Sequence, residues 1–259
     1  MGRPLLAIGG IALIGVGVAV AIGFFSTSTA QADGRAGGAV HGVRIDQDSG
    51  NVRVRVGNVE TATIHETFHY TFSRPGDSFR LDGDQLVLGD CGSNCSVDYD
   101  VVVPNGTAVT GKTASGDIDL EGVASADVAA SSGAVRVLNV AGPVNVQASS
   151  GDINLQSIGK DVTARANSGD IEATSLGAKV NLGADSGSVK LHLDGADAAN
   201  NVQIKAHSGD VDVTVPSATY RIEGNSDSGD RNISVPQDTS SPRLLQLDTD
   251  SGDVTVRAT

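Results

Sequence analysis

The sequence has very few aromatic residues, very few cysteines and a shortage of positive charge. Among 259 residues there are five Phe, three Tyr, no Trp and two Cys, so a disulfide-dense scaffold is excluded. Lys and Arg total 18 against 31 Asp and Glu, and the resulting net charge of −13 argues against nucleic acid as a partner. Proline occurs seven times and the 33 glycines show no triplet period, which excludes collagen.

One long apolar run is present, at the amino terminus. Residues 5–25 carry no charge, and a membrane-spanning helix needs about 20 residues. Arg3 precedes the run, so the positive-inside tendency places Met1 in the cytoplasm and the rest of the chain outside. We expect residues 1–25 to form a retained single-pass membrane anchor and residues 26–38 to form a flexible stalk.

A cleaved signal peptide is the alternative interpretation of this segment. Ala30-Gln31-Ala32 fits the small-x-small cleavage pattern, so the chain would be secreted after cleavage following Ala32. The apolar run is longer than the roughly 7–15 apolar residues usual in signal peptides, which favours the anchor. Gly15, Ala19 and Gly23 share one helix face and would allow a weak homodimer, although Gly and Ala are common in membrane helices generally.

An internal repeat dominates the rest of the chain. Ser-Gly-Asp followed by alternating apolar residues begins at Ser115, Ser150, Ser168, Ser208 and Ser251, with variants at Ser132, Ser186 and Ser228. Alternation with period two is typical of strands with one buried face, and such short units bury that face only by stacking. The sequence therefore predicts an all-β, single-domain parallel β-solenoid with about 18–23 residues per rung.

The same pattern predicts how the domain is divided. We expect the solenoid repeats to occupy residues 105–259, after an irregular β lead-in over residues 39–104. Phe68, Tyr70 and Phe72 are expected to close the open first rung, since an uncapped solenoid exposes its core. Arg231 stands where an inward apolar residue is due, which predicts a bulge or a register shift.

Aspartates recur at one corner of the predicted solenoid, about 4.8 Å apart per rung, so their charges repel. Either solvent and local hydrogen bonds offset this repulsion, which we take as the default, or a cation sits between the carboxylates. The calcium candidates are Asp152, Asp170 and Asp210. No other metal and no cofactor is predicted.

Two further motifs have a chemical interpretation. Cys91 and Cys95 frame three turn-forming residues and, outside the cell, are expected to form one disulfide. His65, Glu66 and His69 match a zinc-protease pattern, but that chemistry requires a helix. Because the flanking residues alternate as in a strand, we expect the two histidines to lie too far apart for one zinc ion.

The N-terminal span, the Cys91-x3-Cys95 element, the run Ser96–Pro104 and the serial Ser-Gly-Asp strands together resemble a known family. These are bacterial β-strand-repeat proteins, grouped under a domain of unknown function and labelled putative adhesins. The resemblance covers roughly residues 39–259 and implies a bacterial cell-envelope β-solenoid with no established enzymatic activity and no catalytic residues to carry over.

We therefore expect a non-enzymatic cell-surface interaction module or adhesin, held at the bacterial cell membrane with its C-terminal domain outside the cytoplasm. Its partner would be an envelope or host macromolecule. The alternative is an envelope-stress sensor or scaffold. Since only Met1–Arg3 precede the span, such a sensor would have to act through a membrane partner.

Overall fold

The computed structural model describes residues 27–195 and 201–259, and within these ranges the chain forms strands and no helix. In chain order the strands are β1 Ser28–Arg35, β2 Gly42–Ser49, β3 Val52–Val56, β4 Thr63–Tyr70, β5 Phe79–Asp82, β6 Gln85–Leu88, β7 Cys95–Val103, β8 Ala108–Ser115, β9 Ile118–Glu121, β10 Ser125–Ser132, β11 Val135–Val140 and β12 Val144–Ser150. They continue as β13 Ile153–Ile158, β14 Val162–Ser168, β15 Ile171–Leu176, β16 Lys179–Ser186, β17 Val189–His192, β18 Asn201–Ser208, β19 Val211–Val215, β20 Arg221–Glu223, β21 Ser226–Ser228, β22 Arg231–Ile233, β23 Leu244–Ser251 and β24 Val254–Ala258.

The strands form two sheets that enclose one core. Sheet A has the order β1-β4-β7-β3-β9-β11-β13-β15-β17-β19-β24-β22. Sheet B has the order β20-β23-β18-β16-β14-β12-β10-β8-β2-β6-β5, and β21 also pairs with β23. Strand pairing is parallel except between β1 and β4, β4 and β7, and β5 and β6. The prediction of an all-β parallel solenoid is confirmed for the described residues, and each regular rung contributes one strand to each sheet.

The interior is narrow, which explains the shortage of aromatic residues. The first apolar residue after each Ser-Gly-Asp corner or its variant points inward from sheet A, and this column is buried throughout: Ile118, Val135, Ile153, Ile171, Val189 and Val211. The column of sheet B nearest the Ser-Gly-Asp corner consists largely of alanine, at Ala130, Ala148, Ala166, Ala184 and Ala206. Since core side chains pack at close to crystalline density, a buried column filled by Ala side chains has no space for an aromatic ring.

The glycine of each Ser-Gly-Asp corner lies directly against the glycine of the preceding rung. A side-chain carbon placed on Gly151 would overlap the carbonyl oxygen of Gly133, well inside van der Waals contact. The same overlap recurs along the stack, at Gly116, Gly133, Gly169, Gly187, Gly209, Gly252 and Gly229. Close approach of two backbones, rather than turn geometry alone, is therefore what requires glycine at this position.

The first regular rung consists of β2 and β3, which the sequence analysis assigned to the lead-in. β2 pairs with β8 so that Ser49 lies beside Ser115, and β3 pairs in parallel with β9. The solenoid therefore begins at residue 42 rather than at residue 105. The strands that intervene in sequence, β4 to β7, leave the regular stack and build its N-terminal end.

Aromatic residues close this N-terminal end, but not all those that were expected to do so. Phe68 is 1% exposed and Tyr70 is partly buried against the core. Phe72, which was predicted to share this role, is 70% exposed and lies beyond the end of β4. Tyr99 is buried in its place, and its hydroxyl donates to the carbonyl oxygen of Gly89 at 2.8 Å.

The segment expected to be a flexible stalk, residues 26–38, contains a regular strand. Ser28–Arg35 is β1, and its eight residues pair antiparallel with β4 from Tyr70 to Thr63. The stalk prediction is therefore wrong for these residues. The pairing satisfies the backbone groups along the outer edge of β4, and β1 becomes the end strand of sheet A.

At the C-terminal end of the solenoid, the order of the strands within the sheets differs from their order in the sequence. β24, the last strand of the chain, pairs with β19 on one side and with β22 on the other. The rung formed by residues 220–233 is consequently the terminal one, and the final strands are inserted beneath it. Tyr220 is 3% exposed and covers the core at this end, where its hydroxyl donates to the carbonyl oxygen of Pro216 at 2.8 Å.

The bulge or register shift expected at Arg231 is absent. Ser228 pairs with Ser251 and Arg231 pairs with Val254, so the register of the repeat continues into the terminal rung. Because no further rung covers β22, its inward position need not be apolar. The Arg231 guanidinium lies across the end of the core and donates to the carbonyl oxygen of Leu247 at 3.0 Å.

The predicted membrane anchor, residues 1–25, lies outside the described residues, and so do Gly15, Ala19 and Gly23. Within the two described ranges, no helix has the length and apolar character needed to cross a bilayer.

Replacing a corner glycine tests the close stacking of the rungs. Gly151→Ala should lower the free energy of unfolding by about 2 kcal/mol or more, because the new methyl group forces adjacent rungs apart. Gly183→Ala is the matched control, since its nearest neighbouring atom would lie 3.8 Å away, and it should leave stability unchanged or slightly higher. Thermal unfolding followed by circular dichroism compares the two variants, and equal midpoints would contradict the stacking argument.

Candidate functional site

A continuous row of polar and charged side chains crosses the solvent-facing side of sheet A. Each member is paired in register with the next, from β1 at one end to β24 near the other. We call it the outer row, and it consists of Asp33, His65, Asp100, Arg53, Asp119, Arg136, Asn154, Glu172, Lys190, Asp212 and Thr255. Successive members lie about 4.8 Å apart, the spacing of neighbouring strands.

Negative and positive side chains alternate along much of the outer row. Arg53 Nε lies 3.2 Å from a carboxylate oxygen of Asp119, and His65 Nδ1 lies 2.7 Å from a carboxylate oxygen of Asp33. Near the other end, Arg257 lies 3.1 Å from Asp212. Opposite charges on neighbouring strands each stabilise the pairing modestly, and here they also give the face a regular sequence of charges.

Two open grooves lie over the N-terminal part of the outer row. One has a volume of about 450 Å³ and is lined by residues that include Arg53, Asp119 and Arg136. The other, of about 750 Å³, includes Asp33 and Arg55 among its lining residues. Both grooves include His65 and Asp100 among their lining residues, so they lie side by side on the face of sheet A.

The outer row has a signal in the sequence that our sequence analysis missed. From β3 onward its members occupy the fourth position after each repeat serine, as Arg53 does after Ser49 and Asp119 does after Ser115. Aligning the repeats at that position would have revealed the alternating charges. The part contributed by β4 and β7 has no such signal, because these strands do not belong to the repeat.

The zinc-protease pattern lies on a strand, as expected. In β4, Thr63–Tyr70, His65 and His69 point to solvent, whereas Glu66 points into the core and is fully buried. His65 pairs with Asp33 at 2.7 Å, and His69 pairs with Asp98 at 3.2 Å. The three side chains of the pattern therefore do not converge.

Glu66 is a buried carboxyl in the N-terminal cap. Its Oε1 accepts the backbone N–H of Ser78 at 2.8 Å, while its Oε2 has no hydrogen-bond partner among the described residues. Burial raises the pKa of Glu66, and the bond from Ser78 offsets part of that rise. Burial, and then the neighbouring Glu66, also raise the pKa of the Tyr99 phenol. Ionisation of Glu66 therefore lowers the stability of the fold, and this loss grows as the pH rises from the ordinary carboxyl pKa to the raised pKa of Glu66, above which it stays constant.

The two cysteines close a short loop beside this cap. Cys91 and Cys95 form a disulfide with their Cα atoms 5.7 Å apart. Cys95 is the first residue of β7 and lies beside Tyr70 of β4. The disulfide therefore ties the entry of β7 to the preceding turn.

The corner aspartates form a ladder of hydrogen bonds between rungs. The Asp152 carboxylate accepts the backbone N–H of Asp170 at 2.9 Å, and the Asp170 carboxylate accepts that of Ser188 at 2.7 Å. The Asp210 carboxylate accepts the N–H of Asp253 at 2.9 Å. Each of these aspartates thus binds the amide of the adjacent rung, so the hydrogen bonds run between rungs rather than within one turn.

The calcium candidates Asp152, Asp170 and Asp210 belong to this ladder, and each uses one carboxylate oxygen in it. Across residues 27–195 and 201–259, no group of three or more His, Cys, Asp or Glu side chains converges in a way that would hold a metal ion. These hydrogen bonds give the recurrence of Asp at the corner a structural role, and calcium binding by the three aspartates stays a prediction.

Substitution of Asp170 separates hydrogen bonding from cation binding. Asp170→Asn should retain most of the stability, since Asn51 already accepts the N–H of Asp117 at the equivalent corner at 2.9 Å. Asp170→Ala should lower the free energy of unfolding by about 1 kcal/mol through loss of the acceptor. Thermal unfolding compares these variants, and a chelator should leave the wild-type midpoint unchanged. A chelator-sensitive midpoint, with Asn no better than Ala, would favour calcium instead.

Comparison with solved structures shows the same fold in one bacterial protein and a weaker similarity to another. A protein described as a putative adhesin from Bacteroides fragilis aligns with 90% of this chain and 98% of its own, with 11% identity and a TM-score of 0.52. A second, described as a putative adhesin from Parabacteroides merdae, aligns over 91% of this chain and 97% of its own, with 10% identity and a TM-score of 0.38. At these identities the first similarity establishes the fold alone. No curated relative matches the chain.

Comparison with family models is more specific. The model described as Toastrack DUF4097 matches residues 38–193 and, in an overlapping match, residues 91–259. Together the two matches cover both the N-terminal cap and the repeats, and they confirm the family resemblance that the serial Ser-Gly-Asp strands indicated. The chain therefore belongs to the Toastrack DUF4097 family.

Proposed function

We propose that this protein is a non-enzymatic, adhesin-type interaction module, displayed outside the bacterial cell on an N-terminal membrane anchor. It binds a protein partner through the outer face of sheet A. The observation that carries this proposal is the outer row, a line of alternating charges about 4.8 Å apart on a broad, solvent-facing sheet. The fold that the chain shares with the Bacteroides fragilis protein described as a putative adhesin is compatible with this role.

The chemistry of the face favours a protein over a carbohydrate. Its exposed cations Arg53 and Arg136 and its half-buried carboxylates Asp100 and Asp119 can pair with complementary charges on a partner. Sugar-binding faces commonly use aromatic rings for stacking, and the outer row contains no Phe, Tyr or Trp. A partner with charges of both signs in an extended arrangement fits this face.

The same arrangement favours binding over catalysis. Arg53 lies between Asp100 and Asp119 in the strand order, and Arg136 follows Asp119. Each of these carboxylates therefore lies next to a cation, an arrangement that favours ion pairing over the transfer of protons. The grooves above them are open to solvent rather than enclosed.

The structure of β1 supports retention of the anchor rather than cleavage. Cleavage after Ala32 would remove Ser28–Ala32, which provide five of the eight paired positions between β1 and β4. Loss of these pairs would expose the edge of β4 at the end of sheet A. A retained segment over residues 1–25 leaves β1 complete.

Neutralising two cations of the outer row tests the proposal. Full-length protein displayed on vesicles should bind intact bacterial or host-cell surfaces saturably, and less so as the salt concentration rises. The double variant Arg53→Gln/Arg136→Gln should lose at least about tenfold in affinity, as expected when two interfacial charges are removed.

The matched control carries the same change of charge on the other face. Lys112→Gln/Arg165→Gln alters the solvent-facing side of sheet B, in β8 and β14, and should bind as the wild type does. Equal binding by both double variants would refute the assignment of the face. Absence of saturable binding by the wild type to any cell surface would refute the adhesive function.

A further inference from the structure

Phe72 is an exposed apolar side chain in an otherwise polar surface. It is 70% exposed, and it is the one large hydrophobic residue in this state among the described residues. The core of the N-terminal cap is already closed by buried aromatic residues such as Phe68 and Tyr99. The exposure of Phe72 therefore needs a reason other than capping.

The position of Phe72 is set by the pairing of three strands. Tyr70, the last residue of β4, lies beside Ser28 of β1 on one side and beside Cys95 of β7 on the other. Phe72 follows two residues later. It therefore lies where β1 begins, at the edge of the domain from which the chain leads back towards its amino terminus.

The turn that carries Phe72 is tied to its surroundings. The Thr71 N–H donates to the carbonyl oxygen of Asn94 at 3.2 Å, within the disulfide loop. The Arg74 guanidinium donates to the carbonyl oxygen of Gln31 in β1 at 3.0 Å. Because both flanks are held, the turn presents Phe72 outward instead of folding it onto the sheet.

In the sequence, an uncharged apolar run ends shortly before β1, the strand that begins beside this turn. The uncharged run of residues 5–25 ends three positions before Ser28, and an extended chain covers at most about 3.6 Å per residue. Ser28 must then lie within about 11 Å of the end of that run. If the run spans the bilayer, Phe72 is within reach of the membrane surface.

We propose that Phe72 inserts into the interface of the lipid bilayer and seats the N-terminal end of the solenoid on the outer surface of the membrane. This proposal rests on the anchor included in the proposed function. Aromatic side chains are favoured at the boundary between lipid and water, and one buried Phe adds to the attachment that a membrane span provides.

Seating at this end has a consequence for the outer row. Sheet A contains twelve strands, so its C-terminal end lies about 50 Å from β1 along the stack. With the β1 end against the lipid, the outer row runs away from the membrane.

The substitution Phe72→Trp tests the contact directly, because the natural chain contains no Trp and so gives no background tryptophan emission. The full-length Phe72→Trp variant is reconstituted into vesicles of phosphatidylcholine and phosphatidylglycerol, with or without phosphatidylcholine brominated on its acyl chains. Bromine quenches tryptophan that reaches the lipid, so the variant should lose most of its emission in the brominated vesicles. The control is Thr239→Trp, at an exposed position near the C-terminal end, which should keep its emission.

The outcomes separate the contact from the anchor. Vesicle flotation reports whether the chain is anchored, independently of emission. An anchored Phe72→Trp variant that is quenched no more than the control would overturn the inference while leaving the anchor intact. Tryptophan emission of the Phe72→Trp variant at a shorter wavelength than the control, without quenching by bromine, would also overturn the inference. The side chain at position 72 would then be covered by protein rather than by lipid. A chain that does not float with the vesicles would refute the anchor and the inference together.

Discussion

The close contact between backbones at the Ser-Gly-Asp corner is the constraint on which the rest of the structure depends. Successive glycines approach so closely that no side chain fits, and the Gly151 N–H donates to the carbonyl oxygen of Ser168 in the next rung at 3.1 Å. The neighbouring aspartate carboxylates bind the adjacent rung through its amides. A corner of this kind has one register, and that register places the apolar columns inside and the outer row outside.

The same constraint explains how an acidic chain tolerates a column of like charges. The repulsion between corner carboxylates is offset because all but that of the terminal rung accept a backbone N–H, a strong and directional partner for an anion. Ala134 interrupts the ladder, since it offers no acceptor to the next rung, yet the strands on either side remain in register. The carboxylates therefore reinforce a register that the glycine contacts and the strand pairing already determine.

The sequence predicted the repeating part of this protein well and its two ends poorly. Alternation and the spacing of Ser-Gly-Asp were enough to predict the parallel rungs and the buried column at Ile118 and its equivalents, because both follow from local periodicity. Insertion of β24 between β19 and β22 was not predictable in this way, since it is decided by which strand best covers the open core. Arg231 illustrates the limit. A charged residue at an inward position predicted a bulge or a register shift, but in the terminal rung the guanidinium fits without either. The outer row could have been found in the repeat, but its extension through His65 and Asp100 depends on strands without the motif.

Native-state hydrogen exchange at the corner glycines tests this account most directly. If the corner is a continuous ladder, the amides of Gly116, Gly133, Gly151 and Gly187 should exchange as slowly as amides in the middle of the strands, through global unfolding only. Loop amides on the opposite side of the rungs, such as that of Gly142, should exchange faster. Corner amides that exchange at the rate of these loops would show that the rungs are held by their strands alone, and would contradict the central role of the corner.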